Sequence, residues 1–458
     1  INMMKEQFII SIISQVVASL GFFFAFYLLF LELDKNSMGI WALVNSIINL
    51  GFLFINVGLN VIHYQYSSKE NSSEYFGTFF TIKILLLLLN ILVAIILIII
   101  VSFISNIWSN KYSILLLFLL FSKIFFNIGD IFYVNIKSNL KVFRAEIPLF
   151  LITIGKSLSI FLLAINLSIF SNPVLYLCVS LFLFNLLYLI LILFFSKNIS
   201  KINKPRKDLT LLYLKDVKPL FIFSITLVIA TNLGNVILAY SFGESELGSF
   251  SFINDYIILS LLLISSSIIS VYLTILSKLY KEKDLESVKK ITYILEKYFS
   301  VVFMGIIIVV LLNGRLILSI FMKKYVETAP LLYIMIFIPY LISITRLYSY
   351  HFVAAKNQNI NANINIVVQI LIIILMIVLI PSRIGIFRFL GLGKMGYAIS
   401  LIIPWILWFI LNRYYSYKKY NIKPQKNIIF HFIFAFISLV IMFAIKILII
   451  EELFKNQF

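Results

Sequence analysis

Lys123, Asn127 and Asp130 interrupt one long apolar stretch at i, i+4 and i+7, and Ser343, Arg346 and Tyr350 interrupt another at i, i+3 and i+7. Each set falls on one face of a helix. A third series, Asn45, Asn49, Asn56, Asn60 and His63, projects within about 60° when successive residues turn by roughly 100°. Cations inside apolar helices are suited to hold anions. Arginine offers a planar fork for paired bonds to phosphate groups, and lysine a mobile point charge. A row of amides suits a hydroxyl-rich ligand, because each amide both donates and accepts. Asp130 and Asp255 are placed to act as counter-ions to these cations or as carriers of a coupling ion.

Catalytic, metal and cofactor chemistry find no such support. His63, His351 and His431 lie in different apolar runs, and no His or Cys pair has zinc-ligand spacing. Glycine signatures for phosphate or dinucleotide binding are missing. The carboxylate pairs Glu244/Glu246 and Glu451/Glu452 sit at run ends and read as solvated charge. Cys178 is the single cysteine, which rules out an intramolecular disulfide. Catalytic residues, metal ligands and a bound cofactor are therefore not expected.

The elements that hold these residues are set by composition. The chain is 62% hydrophobic and 12% charged, with a mean hydropathy of +1.05, against roughly 25% charged residues in soluble domains. Apolar runs of membrane-crossing length occupy 8–31, 38–63, 76–104, 112–135, 146–170, 173–196, 217–241, 247–277, 295–313, 328–355, 359–381, 395–415 and 428–450. The expectation is an all-α polytopic membrane protein of about thirteen spans, with twelve to fourteen allowed. A β-barrel is excluded, since the runs do not alternate and are too long for strands. The first run has no small-residue cleavage site and reads as a retained span.

The net charge of +19 follows the membrane and does not point to nucleic acid. With Lys5 inside, the cytoplasmic loops carry Lys137, Lys141 and Arg144, the series from Lys197 to Lys218, Lys278 to Lys290, and Arg413 to Lys426, while the opposite loops are poorer in cations. This is the positive-inside asymmetry, and it suits attraction to anionic lipid. Lys83 and Lys156, nearer the cytoplasmic ends of their runs, read as side chains that snorkel to the interface.

An internal repeat organises the spans. A shift of about 209 positions lays residues 217–256 over 8–47 and superposes Gly39 on Gly248, Trp41 on Phe250 and Asn45 on Asn254. Two six-helix bundles follow, at 1–205 and 206–425, with an additional helix at 426–458. The basic stretch from Ser196, with Pro205 and Pro219, separates them. Lys123 and Arg346 then belong to the fourth span of each bundle. Residues 278–297, with Leu279, Leu285, Val288, Ile291 and Leu295 between charges, predict an amphipathic helix on the cytoplasmic surface. Related halves suggest a transporter, because alternating access is readily built from one repeat moving against another.

Several local patterns carry a family resemblance. They are Lys218-Pro219-Leu220, the GESELGSFSF turn from Gly243 to Phe252, the amphipathic 278–297 segment, and the stretch from Asn363 through Leu379-Ile380-Pro381 to Gly396-Tyr397-Ala398. Over nearly all of residues 5–415 the chain resembles the Wzx-type oligosaccharide flippases of the multidrug/oligosaccharidyl-lipid/polysaccharide (MOP) exporter superfamily. The resemblance implies a multi-pass protein of the inner (plasma) membrane of a prokaryote, acting as a monomer. It implies transfer of a polyprenyl-pyrophosphate-linked oligosaccharide to the outer leaflet, with a polysaccharide polymerase and chain-length machinery as partners. Lys123, Arg346, Tyr350, Asn45, Asn49, Asn56 and Asn60 would contact substrate, and proton or sodium coupling stays open. Many members carry an acidic residue in the first or the middle of the seventh span, where this chain has Asn232 and Asn235. A cation-coupled multidrug antiporter of the same fold is the alternative. A membrane-embedded polymerase or ligase is disfavoured by the short outer loops.

Overall fold

The computed structural model describes residues 21, 23–55, 57–66, 72–104, 110–139, 141–166, 172–197 and 202–423. The chain is all-α apart from a short hairpin. In order the elements are α1 (Phe23–Glu32), α2 (Lys35–Gly51), α3 (Leu59–Tyr66), α4 (Ser72–Ile104), α5 (Asn110–Ser138), α6 (Val142–Ile165), α7 (Pro173–Ser196), α8 (Lys207–Phe242) and α9 (Glu244–Ser251). A π turn at Phe252–Ile258 leads to α10 (Leu259–Glu282), α11 (Leu285–Phe321), α12 (Ala329–Met335), α13 (Phe337–Ala354) and α14 (Gln358–Leu379). The hairpin of β1 (Arg383–Ile384) and β2 (Phe387–Arg388) then precedes α15 (Gly393–Tyr420).

Among the described residues, nine helices are long and apolar enough to cross a membrane. The expected thirteenth run lies outside the described residues, as does most of the first. Local signals explain several helix ends. Asn172 caps α7 by accepting from the Leu175 N–H at 3.2 Å, with Pro173 at the first helical position. Asp284 caps α11 through the Ser287 N–H at 3.0 Å, and Lys283, at φ 59°, closes α10 in the left-handed region.

Two compact units form. Unit 1 comprises the described residues of Ile1–Ser251 with Met376–Gly393, and unit 2 those of Phe252–Leu375 with the chain from Lys394. In unit 1, α5 packs along α7, α6 packs on α7, and α2 meets α4, α8 and α9. Its core gathers Phe76, Phe79, Ile131, Tyr188, Ile192 and Tyr213. Along α4, Leu85, Leu88, Leu92, Ile96 and Ile99 are exposed, the surface that hydrocarbon would solvate. In unit 2, α13 is the central helix: Leu347, Tyr348 and Phe352 are wholly buried and α10 and α11 flank it.

The repeat is visible within unit 1. A Cβ on Gly39 would lie 1.7 Å from the carbonyl oxygen of Glu244, and one on Gly248 would lie 1.9 Å from that of Lys35. The 209-residue shift that superposes the two glycines also superposes Lys35 on Glu244. The contact of α2 with α9 is therefore reciprocal, as a two-fold relation requires. No side chain fits at either crossing point.

Two sequence expectations are corrected. Residues 38–63 do not form one span: α2 ends at Gly51, Phe52–Ile55 and Val57–Gly58 are not helical, and α3 starts afresh at Leu59. Gly51 lies tight against Ala94 of α4, and Gly58 takes φ 86°, a conformation that costs glycine little. Residues 278–297 are not a separate surface helix. They contain the end of α10, the turn at Lys283, and the first turns of a 37-residue helix that continues to Phe321.

Candidate functional site

The break in the second span organises the first cluster, all of it in unit 1. Unwound backbone inside a membrane must find partners within the protein, since hydrocarbon supplies none. Two side chains of α4, about two turns apart, provide them. Asn90 accepts from the Phe54 N–H at 2.8 Å, and the Lys83 ammonium donates to the Ile55 carbonyl at 3.0 Å. Lys83 is 1% exposed, so it does not snorkel. Its counter-charge is Asp130 on α5, with Nζ 3.9 Å from Oδ2. Asn60, on the first turn of α3, donates to the same carboxylate oxygen at 3.1 Å. His63, one turn on, bonds Tyr213 at 2.8 Å and stacks on Phe79.

The row of amides is thereby divided. Asn45 donates to the Trp41 carbonyl of its own helix at 2.9 Å. Asn49 donates to Asn232 of α8 at 3.1 Å, while Asn235 donates to Ser46 at 2.8 Å. Asn56 lies outside the described residues. Asn60 and His63 belong to a different helix, so the five do not form one face. The helical spacing assumed an unbroken span, and the break between α2 and α3 removes that premise.

A second cluster of unit 1 is cationic. Lys123 projects from α5, and among the described residues its ammonium forms no hydrogen bond or ion pair. Asp130, seven residues on, is engaged by Lys83 instead. Lys156 of α6 reaches over the Phe126 ring of α5, 5.9 Å from its centroid, and donates to Asn185 of α7 at 2.6 Å. Asn185 in turn donates to Ser122 at 2.7 Å. Lys156 and Lys123 are close enough to repel one another. The chain Lys156–Asn185–Ser122 spends its neutral acceptors on one ammonium and brings no carboxylate to either. Charge carried within apolar helices is costly, so two half-buried lysines that repel one another create a place that an anion would relieve.

In unit 2, Arg346 and Tyr350 are half-buried on α13. Among the described residues the Arg346 guanidinium has no ion pair or hydrogen bond. Ser343 faces another way and bonds Ser265 of α10 at 2.7 Å. Asp255 lies exposed in the π turn and accepts from Asn254 at 2.7 Å. Among the described residues no ion pair is formed by Arg346, so the expected counter-ion contact is not made in this arrangement.

Sequence reasoning missed a buried ion pair in unit 2. Glu296, within the segment expected to lie on the cytoplasmic surface, is wholly buried on α11. Arg413 of α15, read as a loop cation, pairs with it, and Tyr348 donates to its second oxygen at 2.8 Å. Arg413 also lies over the rings of Phe409 and Tyr348. His351, one turn after Tyr348, is held by Tyr272 at 3.2 Å and Tyr280 at 3.0 Å. The signal available was weak: Glu296 stands between Leu295 and Lys297 at the start of a long apolar run.

Comparison with known proteins agrees with this architecture. Residues 33–330 match the model of a family described as polysaccharide biosynthesis protein. No curated protein matches the chain. Among solved structures, the lipid II flippase MurJ in an inward closed conformation superposes with a TM-score of 0.67 at 15% identity, over 95% of this chain and 98% of that one. An inward-facing multidrug resistance MATE family transporter of the MOP superfamily gives 0.63 at 12% identity, over 89% and 98%. A MOP superfamily transporter from Pyrococcus furiosus gives 0.57 at 12%, over 91% and 94%. At these identities the structures establish the fold, that of the MOP-superfamily transporters, and the family match establishes the rest: the chain is a multi-pass membrane protein that belongs to the polysaccharide biosynthesis protein family.

Proposed function

We propose that the chain is a flippase for a polyprenyl-diphosphate-linked oligosaccharide, moving its head group from the cytoplasmic to the outer leaflet of a prokaryotic inner membrane. The observation that carries the reading is the half-buried pair Lys123 and Lys156 in unit 1: among the described residues Lys156 is held by the Asn185 amide, the Lys123 ammonium has no hydrogen-bond partner, and neither ammonium meets a carboxylate. A drug antiporter for cations calls for the opposite polarity, and the nearby carboxylate on α5, Asp130, belongs to the other cluster and is engaged by Lys83. Family membership supports a glycan, and the name of one structural relative, a lipid II flippase, supports a lipid-linked one. In this proposal Lys123 contacts the diphosphate, Arg346 offers a second cation, and Asn45, Asn49, Asn60 and Tyr350 meet sugar hydroxyls when their present bonds open. The N-terminus is cytoplasmic, the protein works as a monomer beside a polymerase and chain-length machinery, and no bond of the substrate is made or broken.

The test is translocation of a fluorescent polyprenyl-diphosphate oligosaccharide in proteoliposomes. Lys123→Ala and Arg346→Ala, each folded by thermal unfolding in detergent, should flip at least about 10-fold more slowly, the loss of one charge-assisted contact. Rates equal to the parent in both variants overturn the site assignment. Efflux of a cationic dye with no flipping by the parent favours the antiporter.

A further inference from the structure

The Lys83 cluster has the donor set of a monovalent cation site with an ammonium in the ion's place. In transporters, carbonyl oxygens released by a broken helix, joined by carboxylate and amide oxygens, coordinate the coupling ion. Here the released carbonyl is that of Ile55, 3.0 Å from Lys83 Nζ, and the carboxylate is Asp130, at 3.9 Å. The amide is Asn60. Its Nδ2 is committed to Asp130, and its Oδ1 is buried with no hydrogen bond. Such an oxygen is costly to bury unless something binds it. Lys83 satisfies the carbonyl and the carboxylate and leaves this last oxygen unused.

We infer that the Lys83 ammonium is a resident substitute for a coupling cation, and that removing it opens a monovalent-cation site built from Ile55 O, the Asp130 carboxylate and Asn60 Oδ1. A plain structural salt bridge would also be buried and paired. It would not need a buried amide oxygen left without a hydrogen bond on the side chain that holds its carboxylate, and its loss would not be made good by one small cation. In the parent protein the site is closed to sodium, since the positive charge it needs is already covalently present. The inference concerns the ion alone and does not depend on which substrate is carried.

The experiment uses the full chain purified in detergent, with NaCl and choline chloride compared at equal ionic strength. The parent should unfold at the same temperature in both salts and bind no saturable 22Na+. Lys83→Ala and Lys83→Met should be destabilised in choline and regain about 3 °C or more in 100 mM NaCl, with saturable 22Na+ binding. Adding Asp130→Asn should abolish that response. The inference is overturned if the lysine variants respond to sodium no more than the parent does. It is equally overturned if the parent binds sodium and Asp130→Asn removes it. Should both lysine variants be recovered only when extracted in sodium, that selectivity supports the site. Failure to recover them in either salt, with sodium-independent unfolding lost from the parent by Asp130→Asn, speaks against it.

Discussion

In unit 2 the Glu296 carboxylate, wholly buried on α11, is met by Arg413 from α15 and by the Tyr348 hydroxyl from α13. In unit 1 the Lys156 ammonium on α6 meets the Asn185 amide and the Phe126 ring, the Lys123 ammonium on α5 has no hydrogen bond or ion pair among the described residues, and the two repel one another. Both regions place charge inside apolar helices at comparable cost. The first cancels it with a partner from the same unit and ties three helices together. The second leaves positive charge standing. Cancelled charge is a staple, whereas uncancelled charge is held in readiness for something that arrives from outside, and in a member of this family the arriving group is proposed to be a diphosphate.

The largest effect should follow from breaking the cancelled pair. Glu296→Gln leaves Arg413 buried without its counter-charge and should cost about 3–5 kcal/mol, read as a fall in unfolding temperature in detergent. The double variant Glu296→Met with Arg413→Met should recover most of that loss, because removing both charges is far less harmful than orphaning one. If the double variant is as unstable as the single one, the packing of these helices, not the charge, is what the pair supplies. Tyr348→Phe should cost about 1 kcal/mol, the share of one hydrogen bond to a charged group that keeps its other partner.

The uncancelled pair should behave the other way round. Lys156→Met removes repulsion with Lys123 and a buried charge, so the variant should unfold no more easily than the parent while flipping slows by roughly 10-fold. Asn185→Leu strips Lys156 of its partner and should lower stability without removing the cation. A Lys156→Met variant that loses stability and keeps its rate would turn this cluster into a second staple and erase the difference between the units.

Much of the scaffold was legible from the sequence because hydropathy reports transfer of side chains into hydrocarbon, and the apolar runs are long. The repeat was legible at Gly39 and Gly248 because a backbone crossing admits only glycine, whatever surrounds it. Lys123 and Arg346 were legible as cations within apolar runs, since a charge there is anomalous by itself. Partnership was not. Lys83 and Lys156 look like snorkelling side chains until Ile55, Asp130 and Asn185 are brought to them by other helices. The same limit hid Glu296 and Arg413, each ordinary alone and a pair only in three dimensions. The unwinding between α2 and α3 was hidden for a related reason: apart from Asn56 and Gly58 its residues are apolar, and what makes it tolerable is Asn90 and Lys83 on the next helix.

A third region, outside the spans, supplies the smallest expected effect and a control for the comparison. Arg206, before α8, bonds Asp208 at 2.6 Å and Glu74 at 2.7 Å, with all three exposed or nearly so. Its bonds hold the Asp208 carboxyl below the usual carboxylate range. A depressed value means that the contribution is present at neutral pH and is lost as pH falls through the folded value, below about 3.9. In water such pairs contribute little and are screened by salt. Arg206→Ala should therefore leave the unfolding temperature unchanged within error at pH 7 and stay indistinguishable from the parent as the pH is lowered. The loop keeps its seat on α4 through the Arg206 N–H to Thr78 at 3.2 Å and the close approach of Asn203 to Gly77, neither of which needs the guanidinium. A large loss in Arg206→Ala at neutral pH would show that an exposed cation can matter here as much as a buried one, and the weight placed on burial in comparing Lys123 with Arg413 would have to move to geometry.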